Sequence, residues 1–336
     1  LLCGWLGEVY GWSWGFGAAG IGMLLGLIVF QWGQNTLMGH GEPEHPERLT
    51  RGVGIPGLTI ERAIYAGSFL MVAVVWQLVQ LTETVGTLLD VLSLTVLAGL
   101  GWFLLFRCTE VERERMFVLI LLTLSTVVFW ALFEQGAGSM TLYADRVTDK
   151  TLFGMTLTAA QFGADNSFFI FSLAPLFAML WIRLGRRGWE PSTPVKFSLG
   201  ITQAGLGFGA LVYGAQFPDE TGVVSAWWLI VAYLLHTTGE LCLSPVGLSA
   251  VTKLAVPSVV GVMMGTWFLA SAYSSYVAAQ IATIAARPAN EASLSLTDAL
   301  SGYTELFSQL LTIGVAGGAV LLVLSPVLKR MMHGVR

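Results

Sequence analysis

The stretch MFVLILLTLSTVVFWALFEQGAGS, Met116–Ser139, carries no charged side chain until Glu134. At 1.5 Å of rise per residue, such a run is long enough for the hydrocarbon core of a bilayer, about 30 Å. A charge at the centre of a spanning helix costs about 2.5–3.5 kcal/mol even on lenient insertion scales, so a carboxylate there usually faces a substrate or proton path. A second carboxylate, Glu240, sits in TTGELCLSPVGLS within another apolar segment. The alternative for either residue is a protonated side chain hydrogen-bonded to a neighbouring helix.

Working outward, nine hydrophobic segments of spanning length are centred near Leu24, Val72, Val96, Ser125, Ala174, Leu206, Leu234, Ala270 and Gly317. Polar connections such as GHGEPEHPERLTRG, RCTEVERER, LGRRGWEPSTPVK and FPDETG separate them. The chain of 336 residues is 55% hydrophobic and 11% charged, against roughly 25% charged in soluble domains. These features predict an all-α polytopic membrane protein. The net charge of −4 decides nothing, because in such a protein the placement of charge carries the information. With loops assigned alternately to the two sides, all of the 17 basic residues except Arg146, Lys150 and Arg287 fall on one side. The positive-inside rule makes that side cytoplasmic. The C-terminus is therefore expected inside and the start of this chain outside, in a multi-pass protein of the plasma (inner) membrane.

The opening LLCGWLGEVYG lacks Met and reads as the tail of a helix already in progress, without a signal peptide's basic start or cleavage site. Further chain is expected before Leu1. Cys3, Cys108 and Cys242 lie in separate segments with no CxxC spacing, so neither a disulfide framework nor a metal site is expected. His40, His45 and His333 fall in loops or the tail. His236, one turn before Glu240, reads as a packed neutral histidine or a proton relay. Gly15, Gly17 and Gly20 satisfy GxGxxG, but no strand precedes them, so small-residue helix packing is the better reading. The same packing is expected for Gly22 with Gly26, Gly205 with Gly209, and Gly261 with Gly265. No HExxH or P-loop occurs, so a zinc hydrolase or an ATP-driven pump has no residue to start from, and no enzyme is expected. Pro175 and Pro245 interrupt two spans. Pro245, five residues after Glu240, predicts a static kink or a gated, locally unwound helix.

The segments FWALFEQGAGSMTLYADR, APLFAMLWIRLGRR with PSTPVKFSLG after it, and GELCLSPVGLSAVTKLAVP together resemble the proton-coupled oligopeptide transporter family of the major facilitator superfamily. The resemblance runs over essentially the whole chain, with the motifs in the family's order. It implies an incomplete major facilitator fold without its first helices, the C-terminal two-thirds of a bacterial symporter of di- and tripeptides. Residues 1–33 would be the end of helix five and helix six of the N-terminal bundle, with GWSWGFGAAGIGMLLGLIVF resembling helix six. Residues 34–60 would be a cytoplasmic loop, 61–108 two additional helices of bacterial members, and 116–336 the C-terminal six-helix bundle. Those additional helices read as a lipid-facing addition dispensable for the chemistry.

The resemblance also assigns roles. Glu134 matches the helix-seven acid of proton coupling, while Asn166 and Glu240 match residues that hold the peptide's amino terminus. Trp267 matches a pocket tryptophan, and Ser244 lies one turn beyond Glu240 on the substrate side. Asp145 or Arg146 would belong to the outer gate. No cofactor or metal is implied beyond the coupling proton; the partners would be small peptides and the bilayer, with no nucleic acid, and the complete protein would act as a monomer. This chemistry is coherent on general grounds. Every peptide offers an ammonium that a carboxylate and an amide carbonyl can bind, and an acid yields its proton when a cation pairs with it. The alternatives are a transporter of another small solute on the same fold, an amino acid or nitrate, or a non-catalytic membrane subunit. Glu240 disfavours a purely anionic substrate by charge.

Overall fold

The computed structural model describes residues 2–39, 43, 45–55, 57–290 and 295–335. Leu1, His40, Arg336 and the side chain of Arg287, which enter the readings above, lie outside them. Helices follow one another as α1 (Leu2–Tyr10), α2 (Trp12–Gly33), α3 (Pro46–Leu49), α4 (Ile60–Gln80), α5 (Thr82–Phe106), α6 (Glu110–Phe133), α7 (Ser139–Val147), α8 (Ala159–Phe162), α9 (Ala164–Arg186), α10 (Thr193–Gly214), α11 (Ala226–Leu254), α12 (Val260–Asn290) and α13 (Leu296–Met331). Two short strand pairs cross at one end: β1 (Thr148–Asp149) runs parallel to β4 (Val224–Ser225), and β2 (Thr151–Leu152) antiparallel to β3 (Met155–Thr156).

Eight helical segments among the described residues are long and apolar enough to cross a membrane. The ninth expected segment, α12, has 31 residues but is not among these eight, because Ser271, Tyr273, Ser274, Ser275 and Tyr276 occupy its middle. Outward-facing apolar side chains are abundant on α2, α4 and α9, including Phe16, Met23, Phe69, Trp76 and Phe171. Exposure on that scale fits a bilayer as the solvent.

The core lies among α6, α7, α10, α11, α12 and α13, around Met116, Leu122, Phe129, Tyr143, Phe197, Phe208, Leu243, Tyr303 and Phe307. α10 touches α13 backbone to backbone: a Cβ placed on Gly205 would stand 2.9 Å from the Gly314 Cα, and the Ser198 hydroxyl donates to the Gly318 carbonyl at 2.7 Å. Small residues permit this approach where apolar lipid gives helices little hydrophobic reason to associate. Of the expected glycines, Gly15 packs against α1, where a Cβ would stand 2.6 Å from the Cys3 carbonyl oxygen, and Gly205 and Gly209 face α13, whereas Gly17, Gly20, Gly22, Gly26, Gly261 and Gly265 meet open space. Their spacing is right, but no described helix lies against that face.

Of the kinked and the locally unwound readings of the prolines, the unwound one does not hold. α9 and α11 continue through Pro175 and Pro245, and α13 through Pro326. The interruption that positions the site lies instead after Phe133, where the Glu134–Gly136 3-10 turn separates α6 from α7.

Candidate functional site

Glu134 stands at that interruption and accepts a hydrogen bond from the Ser275 hydroxyl of α12, 2.8 Å to Oε1. Its neighbour Gln135 is fully buried and anchors the turn. Gln135 Nε2 donates to the Ala131 carbonyl at 3.2 Å and to the Ala278 carbonyl at 3.1 Å, and Oε1 accepts from Ser139 at 2.8 Å. Tyr233 of α11 donates its hydroxyl to the Gly136 carbonyl at 2.9 Å. A backbone opened at membrane depth needs such substitutes for its missing helical bonds. Here the Gln135 side chain supplies one at the Ala131 carbonyl and Tyr233 of α11 another at the Gly136 carbonyl.

Across from Glu134, Asn166 in the first turn of α9 reaches α11. Its Nδ2 donates to Glu240 Oε2 and to Thr237 Oγ1, each at 3.1 Å, and the Thr237 hydroxyl donates to the Tyr233 carbonyl at 2.7 Å. Glu134 and Asn166 line one cavity of about 480 Å³ together with Trp12, Trp130, Phe133, Tyr233 and His236. That size falls in the range of ligand pockets, about 300–1,000 Å³, and its mix of aromatic walls with a few polar groups is typical of them. Glu240 is not itself in the cavity lining; it stands behind Asn166, bonded to it at 3.1 Å. The carboxylate has lone pairs for further donors, so an ammonium group would find a charge-assisted acceptor there.

His236, 1% exposed, is packed in the core. Its ring lies between Phe133 and Phe208, and Nε2 stands 2.9 Å from the Ala204 carbonyl. Since a carbonyl oxygen only accepts, Nε2 carries the proton, and Nδ1 is left buried without a hydrogen-bond partner.

The structure does not bring every expected residue to this cavity. Trp267 is 5% exposed and packs edge-on to Phe197, with Gly247 so close that a Cβ there would collide with its ring. Ser244 is half-buried one turn past Glu240 and does not line the cavity. Asp145 and Arg146 lie at the end of α7, where Asp145 Oδ1 pairs with Lys150 Nζ at 2.9 Å.

Two acids that the charge argument applied to Glu134 and Glu240 also selects were not singled out by the sequence reading. Asp165 precedes Asn166, and its Oδ2 is buried without a hydrogen-bond partner. Asp90 lies inside α5 in the run TLLDVLSL. Tyr233 and Thr237 carry no such signal, because an ordinary helix-packing tyrosine or threonine looks the same in sequence.

Comparison with known proteins places this arrangement. A sequence profile of the POT family matches residues 1–299. The chain is 37% identical over 339 residues to the uncharacterized transporter YclF of Bacillus subtilis, covering 100% of this chain and 65% of that protein. It is 34% identical over 295 residues to the peptide transporter YePEPT of Yersinia enterocolitica, covering 84% of this chain and 57% of that protein. With dipeptide and tripeptide permease B of Photorhabdus luminescens it shares 30% identity over 340 residues, 98% of this chain and 66% of the permease. Among solved structures it resembles a mutant of the peptide transporter POT in complex with alafosfalin, with a TM-score of 0.74 and 31% identity over 99% of this chain and 64% of that one. It also resembles tetrameric PepTSo2, with a TM-score of 0.75 and 27% identity, covering 98% of this chain and 68% of that one. The chain thus spans a little under two-thirds of the length of the first of these relatives. Its matched span, its multi-pass helical architecture and its likeness to these transporters lead to one conclusion: this chain belongs to the POT family and has the major facilitator fold.

Proposed function

We propose that this chain supplies the amine-recognising and proton-coupling groups of a proton-driven importer of di- and tripeptides. The observation that carries the reading is the Asn166–Glu240 bond, 3.1 Å between α9 and α11, with Asn166 lining the same cavity as Glu134. An acid and an amide held together can take the one charged group every peptide presents at its start. The second acid, on a helix interruption, stands where a proton can be bound and released as helices move. The names of the relatives, a peptide transporter and a dipeptide and tripeptide permease, support this substrate class.

In this reading residues 1–33 belong to the N-terminal bundle, 34–60 form a cytoplasmic loop, 61–108 are the two additional helices and 116–336 are the C-terminal bundle. The C-terminus lies in the cytoplasm, the protein resides in the inner membrane, and one complete chain is the transport unit. Asp145 and Arg146 sit at the gate end, and Ser244 and Trp267 shape the substrate side from behind the cavity wall.

The test is dipeptide accumulation by the full-length protein in liposomes under an inward proton gradient. Wild type is expected to accumulate dipeptide, and Glu240→Gln to lose at least about tenfold of it, the scale of one hydrogen bond to a charged group. Accumulation of single amino acids with none of dipeptide would replace the peptide reading; equal dipeptide uptake by both proteins would remove Glu240 from it.

A further inference from the structure

The hydroxyl-rich middle of α12 is bonded on two sides. Toward α6 and α7, Ser275 donates to Glu134 at 2.8 Å, and the Ala278 carbonyl accepts from Gln135 at 3.1 Å. The interruption carrying Glu134 is therefore held by α12 at two points about one turn apart. Toward α5, the Tyr273 hydroxyl donates to Asp90 Oδ1 at 3.0 Å. One turn before Asp90, Gly86 is buried, and a Cβ there would collide with the Tyr276 ring. Gly86 and Asp90, four residues apart, share one face of α5; Tyr273 and Tyr276, three apart, share one face of α12, with their rings 6.4 Å apart. The two faces form a clasp: a ring seated on a glycine and a hydroxyl bonded to a carboxylate.

Beside this clasp the helices part. A cavity of about 530 Å³, walled by Leu94, Leu97, Ile120, Val127 and Leu269, opens between α5, α6 and α12, with Asp90 and Tyr273 among its lining. Contact between α5 and α12 is thus concentrated at the clasp. An aspartate within a spanning helix is costly, and an inert lipid-facing helix would have no use for one.

We propose that Asp90 is a positioning residue for the proton step: through Tyr273 it fixes the rotation of α12 that presents Ser275 to Glu134. The inference rests on the reading of Glu134 as the proton carrier. It makes α5 a brace for the coupling site, in place of the dispensable lipid-facing addition expected from sequence. The bond requires an acceptor at position 90 and a hydroxyl at 273; it does not require a negative charge.

The experiment compares two transport modes of the full-length protein in liposomes: dipeptide uptake driven by an inward proton gradient, and counterflow exchange of labelled for unlabelled dipeptide without a gradient. Asp90→Ala and Tyr273→Phe are each expected to lower driven uptake about three- to tenfold, the factor one hydrogen bond supplies. The double variant should fall no further than either single one, because both remove the same bond. Asp90→Asn keeps an acceptor oxygen and is expected within about twofold of wild type, and counterflow should stay within about twofold in all four variants. Driven uptake unchanged in Asp90→Ala and Tyr273→Phe would overturn the inference. So would an equal loss in both modes, which marks an ordinary packing anchor, or an Asp90→Asn variant as poor as Asp90→Ala. A Glu134→Gln control separates the two layers: if it accumulates dipeptide like wild type, Glu134 is not the proton carrier and Asp90 positions no proton step.

Discussion

Asn166 is the residue on which two accounts of the site divide. As a small amide within a bundle it could simply join helices, yet its donor group is committed to Glu240 and Thr237 of α11 while the side chain lines the cavity. If it positions Glu240 for an ammonium, Asn166→Ala should raise the half-saturating dipeptide concentration about tenfold or more with little change in maximal rate, the scale of a hydrogen bond to a charged group. Uptake measured against dipeptide concentration decides: a lower maximal rate at unchanged half-saturation identifies a helix-packing amide. At this scale sequence is informative where burial makes a residue costly. Glu134 and Glu240 stand out in apolar segments, and with Asn166 they come to one place in the fold. Asp165 escapes notice because it lies at a span's edge, where water is ordinarily near. Asp90 escapes because its helix looks like a lipid-facing one. Trp267 shows the reverse limit, since its large apolar ring fits a pocket wall and a packed core equally well, and the depth of its burial depends on Gly247 facing it.

The element that matters most is the turn between α6 and α7, and its stability depends on Gln135. That side chain is fully buried, with both its amide nitrogen and its oxygen bonded. Gln135→Leu keeps much of the volume but strands the buried Ser139 hydroxyl and takes the side-chain bonds away from the Ala131 and Ala278 carbonyls. Leaving buried polar groups unpaired costs about 1–3 kcal/mol, so thermal unfolding in detergent should begin at a lower temperature than in wild type; an unchanged transition would show that water takes over these bonds. Prolines mislead at this scale. They mark where one backbone bond is lost, but a spanning helix absorbs that loss when its neighbours hold it, as α11 does through Pro245. The actual interruption has no proline. Gly136 and Gly138 follow Glu134 there, and the bonds that stabilise it come from helices far away in sequence, which no local pattern announces.

At the scale of the molecule, hydropathy and charge placement give the class, and separated motifs give the family, because both depend on composition along the chain. Which helices touch is less legible. Glycines four apart occur in several spans, and only a partner with a matching gap turns one into a contact, as Gly314 does for Gly205. Gly205→Val should wedge α10 from α13 at a cost of about 1–3 kcal/mol, the usual cost of overpacking a tight contact, and so lower the temperature of the thermal transition. The α10–α13 contact has a mechanical meaning as well. Where Gly205 meets Gly314 the two backbones touch with no side chain between them, so this pair has no bearing surface there on which to slide and forms the fixed spar of the bundle; the joint in the frame lies elsewhere, at Glu134 between α6 and α7.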